Sequence, residues 1–275
     1  MRRRALCLAL LAVPLAVHAG EDADESLALR RRGLEALPDV LPYVDADDPH
    51  LRVRSRHLVK QIVMDHLHAS TPPGMRLIPG PLVVSRSGVR MEKGLYLGIH
   101  EVTLGEFRRF VKLRRWKGAR WSKGEANCPV TSVSLQEARA YAKWRGARIP
   151  TRAELEWAAT GGGRYLYPWG DRFSPVWVNS REAGFGQPEP VGSRQRGLSV
   201  HGVADLRGNV AEWTETATGL PVARRFRAVG GSYRGAARSA RFVTYTLAAE
   251  ARLNDVGFRL AQSLPPLPVM APRGS

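Results

Sequence analysis

The chain has 275 residues, 44% of them hydrophobic. That is long enough for one large domain with an extension, and too apolar for wholesale disorder. Lys and Arg number 42 against 25 Asp and Glu, a formal net charge of +17, which favours acidic partners. Seven Trp and 27 Gly argue for an irregular, loop-rich fold rather than a helix bundle, and two cysteines, Cys7 and Cys128, exclude a disulfide framework.

In chain order, Arg2 to Arg4 form a basic n-region, Ala5 to Val17 an apolar stretch, and Val17-His18-Ala19 a small-residue cleavage site. This pattern predicts an export signal over 1–19, cleaved after Ala19, and a mature chain in the periplasm. The apolar stretch is too short to span a bilayer comfortably, and no other segment reads as a membrane helix. Export makes nucleic acid a poor partner despite the charge; anionic headgroups or an acidic protein face are the better candidates. It also leaves Cys128 as the single thiol, expected to be buried as a small hydrophobe or paired with a partner.

Residues 20–70 are expected to form a helical extension. Leu27, Leu29, Leu34 and Leu37 give one apolar helical pattern, which Pro38 and Pro42 should break. Asp48 followed by Pro49 predicts the start of a second helix, with Leu51, Leu58, Ile62 and Leu67 on one face. Ser70 to Gly74 reads as a linker. Strands are expected at Arg76–Gly80 and Leu95–Thr103, helices at Glu106–Leu113, Gln136–Trp144 and Ala153–Ala159. After residue 165 the chain should be mostly loop, with turns at Tyr167–Gly170 and Gly208-Asn209 and late strands at 227–231 and 256–261. The segment 263–275 reads as a Pro-rich surface tail.

Five segments carry a resemblance: Glu101-Val-Thr103; Pro129 to Ala159, including Ile149-Pro-Thr-Arg-Ala-Glu-Leu-Glu-Trp157; Gly208-Asn-Val-Ala-Glu-Trp213; Gly230-Gly-Ser232; and Gly257-Phe-Arg259. In this order they resemble the formylglycine-generating sulfatase-modifying (FGE-sulfatase) family over residues 75–262. The resemblance implies an α+β, C-type-lectin-like fold with little regular secondary structure.

It also implies structural calcium. One family site draws on an Asn-Val-x-Glu turn, matched here by Asn209, Val210 and Glu212. A second uses an Asn matched by Asn179, with Ala183 where a carboxylate is expected and Glu182 as a substitute. The plain alternative for Asn209 and Glu212 is a turn residue and a surface acid. Family catalysis requires two cysteines and copper after the double glycine. Here Gly235 stands in the first cysteine's place, so neither copper nor formylglycine-generating activity is expected. His50, His57, His66, His68, His100 and His201 do not match the metal motifs of the iron-dependent relatives.

The region after the double glycine remains basic. Ser232, Tyr233, Arg234, Arg238 and Arg241 are candidates for a partner-binding groove that recognises an acidic segment. The competing reading pairs these arginines, and Arg259 placed nearby by the resemblance, with Glu212, Glu215 and Asp255. Within the family, the chain is similar to cysteine-lacking periplasmic regulators. That similarity implies promotion of a transmembrane Ser/Thr kinase controlling type VI secretion, with the kinase's periplasmic domain or an outer-membrane lipoprotein as partner. The enzymatic alternative is tailoring of a pyoverdine-type siderophore, with Glu212, Glu215 or Asp255 as the acid.

Overall fold

A computed structural model describes residues 22–220, 224–236 and 242–267. The expected export signal, Arg238, Arg241 and the tail from residue 268 lie outside them. The described backbone divides into two compact units, residues 22–71 with Pro79–Gly94 and residues 264–267, and Pro72–Ile78 with Leu95–Ser263.

In the first unit, α1 (Asp22–Arg32), α2 (Leu37–Val40) and α3 (Pro49–Ala69) follow one another. The Asp48 carboxylate accepts from the backbone N–H of His50 and Leu51 at 2.8 and 3.4 Å, capping α3 with Pro49 in its first turn. Val59, Ile62, Val63 and Leu67 form its buried stripe, while Leu51 and Leu58 are only half-buried. Pro38 and Pro42 do not break a helix as expected. Each sits in the first turn of a short helical segment, where a missing N–H leaves no gap. The unit also holds an unanticipated antiparallel hairpin, β2 (Leu82–Ser85) with β3 (Gly88–Met91).

The second unit is built on two sheets. In the first, β4 (Leu95–Gly98) lies between β1 (Met75–Ile78) and β9 (Ala261–Ser263), antiparallel to both. The other has the order β7-β6-β5-β8: Thr244–Leu247, Arg225–Val229, Ala211–Thr218 and Val256–Gly257. The sequence reading expects one strand over 256–261. The structure makes two, because Phe258 to Leu260 carry the chain from one sheet to the other.

Helices α4 (Leu104–Arg114), α5 (Leu135–Trp144) and α6 (Arg152–Ala159) each open with a complete capping box, Thr103/Glu106, Ser134/Glu137 and Thr151/Glu154. Their buried faces differ in chemistry. Leu155, Ala158 and Ala159 of α6 join Ile78, Leu95, Leu97, Val203 and Val229 in an aliphatic core. Phe107 and Phe110 of α4 instead meet Tyr141 of α5 and Phe258, with ring centroids 5.3–6.2 Å apart. The hydrogen bonds Val102 N–H to Phe258 O and Val130 N–H to Val102 O, both 2.9 Å, lace three motif segments together. Gly257 is required there, since a Cβ would lie 2.5 Å from the Val130 carbonyl oxygen.

Candidate functional site

The Gly208-Asn209 turn brings the sequence motifs to one place. Gly208 has φ +79°, and a Cβ on it would stand 2.4 Å from the Asn179 carbonyl oxygen. Asn209 follows at φ +52°, a left-handed conformation that Asn tolerates better than most residues. Its Oδ1 accepts from Asn179 Nδ2 (3.1 Å) and Glu189 N–H (2.9 Å). Its Nδ2 donates to Glu101 Oε1 (3.2 Å) and the Glu189 carbonyl (3.3 Å). From here β5 starts, and it buries Glu212 and Trp213 completely.

Glu212 is neither a surface acid nor a free metal ligand. Both its oxygens accept from Arg259, at 2.6 Å each. Arg259 is 0% exposed and also donates to the carbonyls of Gly98 (3.1 Å), Ile99 (3.4 Å) and Ala204 (2.9 Å), so every guanidinium N–H has an acceptor. Burial works against its charge, but Glu212, Glu101 and Asp205 hold its pKa above the ordinary value.

This bears on the expected calcium set. Calcium takes six to eight oxygens, and in Asn209, Val210 and Glu212 the amide and carboxylate oxygens are already committed to N–H donors. Glu212, held on both oxygens by the Arg259 guanidinium, does not fit the ion. At the second expected position, Asn179 is 2% exposed and its Oδ1 has no donor. That oxygen is free to accept a cation or water. Among the described residues, no group of three or more His, Cys, Asp and Glu is placed to hold a metal ion.

Glu101 is the residue the sequence reading missed. It is 0% exposed, and its Oε2 faces no donor. Burial first, then the neighbouring Asp205 carboxylate, push its pKa well above the ordinary value, against the pull of Arg259. Asp205 is also raised by burial, opposed by the N–H of Gly192 at 2.7 Å. A proton held on Glu101 and donated toward Asp205 satisfies both groups. The sign follows from linkage: an acid with a raised folded pKa contributes stability that is full below the unfolded value, about 4.3, and is lost as pH rises through the folded value. Glu101→Gln supplies a permanent donor at that position. We expect it to raise the melting temperature at pH 8 by about 2–4 °C, the equivalent of one neutral hydrogen bond, and to give no gain at pH 4.5. A gain at pH 4.5 that disappears at pH 8 would show that Glu101 is buried as the anion.

The expected partner-binding groove is rearranged. Ser232 does not line it: it is 1% exposed, and its Oγ donates to Asp255 at 2.8 Å. Tyr233 does face a cavity of about 540 Å³, with Leu104, Cys128, Pro129, Phe185 and Asn254 among the other walls. Arg234 is exposed, with its Nε donating to the Tyr233 hydroxyl at 2.9 Å and its guanidinium 5.4 Å from that ring centre. Of the acids weighed as ion-pair partners, Glu212 does pair with Arg259, as that reading expects, whereas Glu215 is held by Arg139 at 2.5 and 2.8 Å and Asp255 accepts from Ser232.

Cys128 lies far from Tyr233 in sequence, yet both line this cavity. It is half-buried rather than enclosed. Burial, with Glu125 and Glu189 adding to it, pushes the thiol pKa up, which keeps it protonated and weakly nucleophilic.

Residues 68–264 match the family model "Sulfatase-modifying factor enzyme 1-like domain". Among curated relatives, the "Inactive C-alpha-formylglycine-generating enzyme 2" of Mus musculus is 39% identical over 114 residues, 38% of this chain and 37% of the relative. The "Formylglycine-generating enzyme" of Streptomyces coelicolor is 44% identical over 117 residues, 36% of each chain. The chain thus spans between about a fifth and somewhat over a third of the length of the curated relatives it matches. Two solved structures share the fold. CarF has a TM-score of 0.57 at 20% identity, covering 70% of this chain and 99% of that one. PvdO from Pseudomonas aeruginosa has a TM-score of 0.54 at 20% identity, covering 70% and 92%.

Proposed function

The chain belongs to the sulfatase-modifying factor enzyme 1-like domain family, and from that premise we propose that it is a non-catalytic binding and regulatory protein of the periplasm. Its action is to promote activation of a transmembrane Ser/Thr kinase that controls type VI secretion, through contact with the kinase's periplasmic domain or an outer-membrane lipoprotein. The observation that supports this reading is the state of the segment after the double glycine. Ser232 is locked to Asp255, and Gly235 stands where the resemblance places the first cysteine. The adjoining cavity offers Pro129, Pro188, Pro190, Phe185 and Tyr233 as a contact surface. A relative whose name carries the word inactive is consistent with such a member.

The tailoring-enzyme alternative needs an available acid. Glu212 and Glu215 are bidentate partners of arginines, and Asp255 accepts from Ser232, so none is poised at an open position.

The test is crosslinking of the full chain in its host's periplasm, with partners identified by mass spectrometry. The expected result is capture of the kinase domain or the lipoprotein. Capture should fall at least about tenfold with Phe185→Asp, because Phe185 is 54% exposed at the cavity and a buried carboxylate there is unfavourable. Cys128→Ser should capture normally, since its thiol is held protonated. Equal capture by Phe185→Asp removes the cavity from the interface, and capture of neither protein overturns the reading.

A further inference from the structure

On the second unit, the ends of α4 and α5 form a corner unlike the rest of the surface. A cavity of about 690 Å³ there is lined by Arg114, Arg115, Lys117 and Lys143, with the rings of Trp116 and Trp144 and the floor residue Phe110. The backbone builds it deliberately. Arg115 turns left-handed at φ +48°, and the Trp116 N–H returns to the Val111 carbonyl at 3.1 Å, so the chain folds back over the helix end. Trp116 and Trp144 then flank Phe110 at 5.5 and 5.3 Å.

Three features separate this corner from a generally basic surface. All four cations are exposed, and among the described residues none has a carboxylate partner; the neighbouring pair, Arg145 with Glu106 at 3.8 Å, uses a different arginine. Trp144, the last residue of α5, is 36% exposed, and Leu113, in the last turn of α4 beside Arg114, is 59% exposed, so apolar surface stands among the charges. Finally, cations in a last helical turn favour the helix, but that accounts for Arg114 and Lys143 alone. Arg115 and Lys117 lie beyond the helix, and helix stabilisation requires neither a cavity nor two part-exposed indoles.

We propose that this corner is a docking site for an anionic lipid surface. A phosphate-bearing headgroup enters the cavity between the four cations, and Trp144, Trp116 and Leu113 rest at the level of the glycerol backbone. Charge complementarity selects the occupant: unpaired Lys and Arg are attracted to anionic headgroups, and indole rings with one apolar and one polar edge belong at such interfaces. An acidic protein face would satisfy the charges but leave the exposed indoles and Leu113 without an apolar phase.

Flotation of the full chain with vesicles tests this directly. Binding is expected to vesicles of phosphatidylcholine with phosphatidylglycerol, not to phosphatidylcholine alone, and is expected to weaken as salt is raised. Replacing Arg114, Arg115, Lys117 and Lys143 with Ala should weaken binding on the order of 10³-fold. A control with the same charge loss at exposed positions elsewhere, Arg31, Lys60, Arg172 and Arg196 to Ala, should bind within about threefold of the parent. Brominated phosphatidylglycerol should quench tryptophan emission in the parent, and this quenching should largely vanish in Trp116→Phe/Trp144→Phe. Equal losses in the two quadruple variants, quenching that persists in the double Phe variant, or no preference for anionic vesicles would each overturn the proposal.

Discussion

Arg259→Met is expected to destabilise the second unit by about 3–5 kcal/mol, a fall in melting temperature on the order of 10 °C. The reason is asymmetry between breaking an ion pair and replacing one. Arg259 and Glu212 are 0% and 2% exposed, so removing the guanidinium strands a carboxylate out of water. The same substitution also takes donors from the carbonyls of Gly98, Ile99 and Ala204, which lie near the end of β4 and before the Gly208 turn. The double variant Arg259→Met/Glu212→Leu should recover part of the loss, because the stranded charge is gone. It should not recover all of it, because the three carbonyls remain unserved. Thermal unfolding of the two variants side by side reads this out. If the double variant were no more stable than the single, the ion pair would contribute nothing beyond those carbonyl contacts.

A loss of similar size is expected from Trp213→Ala, about 3–5 kcal/mol. Trp213 is the largest of the fully buried side chains, on central strand β5, and its Nε1 donates to the Val133 carbonyl at 3.0 Å. Truncation leaves a cavity and an unpaired carbonyl together. Trp213→Phe separates the two, since it fills most of the space and removes only the donor; we expect it to cost about 1–3 kcal/mol. Denaturant melts of both variants give the comparison. A Phe variant as damaged as the Ala variant would mean that the hydrogen bond to Val133, rather than volume, holds β5 against the segment before α5.

Much of the fold was legible because its signals are local. Thr103, Ser134 and Thr151 each precede a Glu by three residues, and a capping box needs only that spacing and the backbone N–H groups within one turn. Asp48-Pro49 announces α3 in the same way. The order of the five motifs was enough to identify the family. What misled the reading was strand structure. Ala211 to Thr218 follows a turn and reads as loop, but it becomes the eight-residue strand β5 because β6 and β8 flank it on either side. Cross-strand pairing is a property of partners distant in sequence, so no local pattern announces it.

The candidate site divides along the same line. By itself the sequence determined the residue inventory: a double-glycine turn without cysteines, an Asn-Val-Ala-Glu box, a single cysteine beyond residue 19 and a basic chain. Only the tertiary structure decided how these groups are spent. It delivered Arg259 to Glu212 across 47 positions and so withdrew that carboxylate from calcium. It also brought Glu101 beside Asn209 across 108 positions and placed Cys128 on the wall of the Tyr233 cavity. The physical reason is desolvation. A charged or polar side chain taken out of water must find a partner, and that partner is chosen by the packing of the whole unit, not by neighbours along the chain.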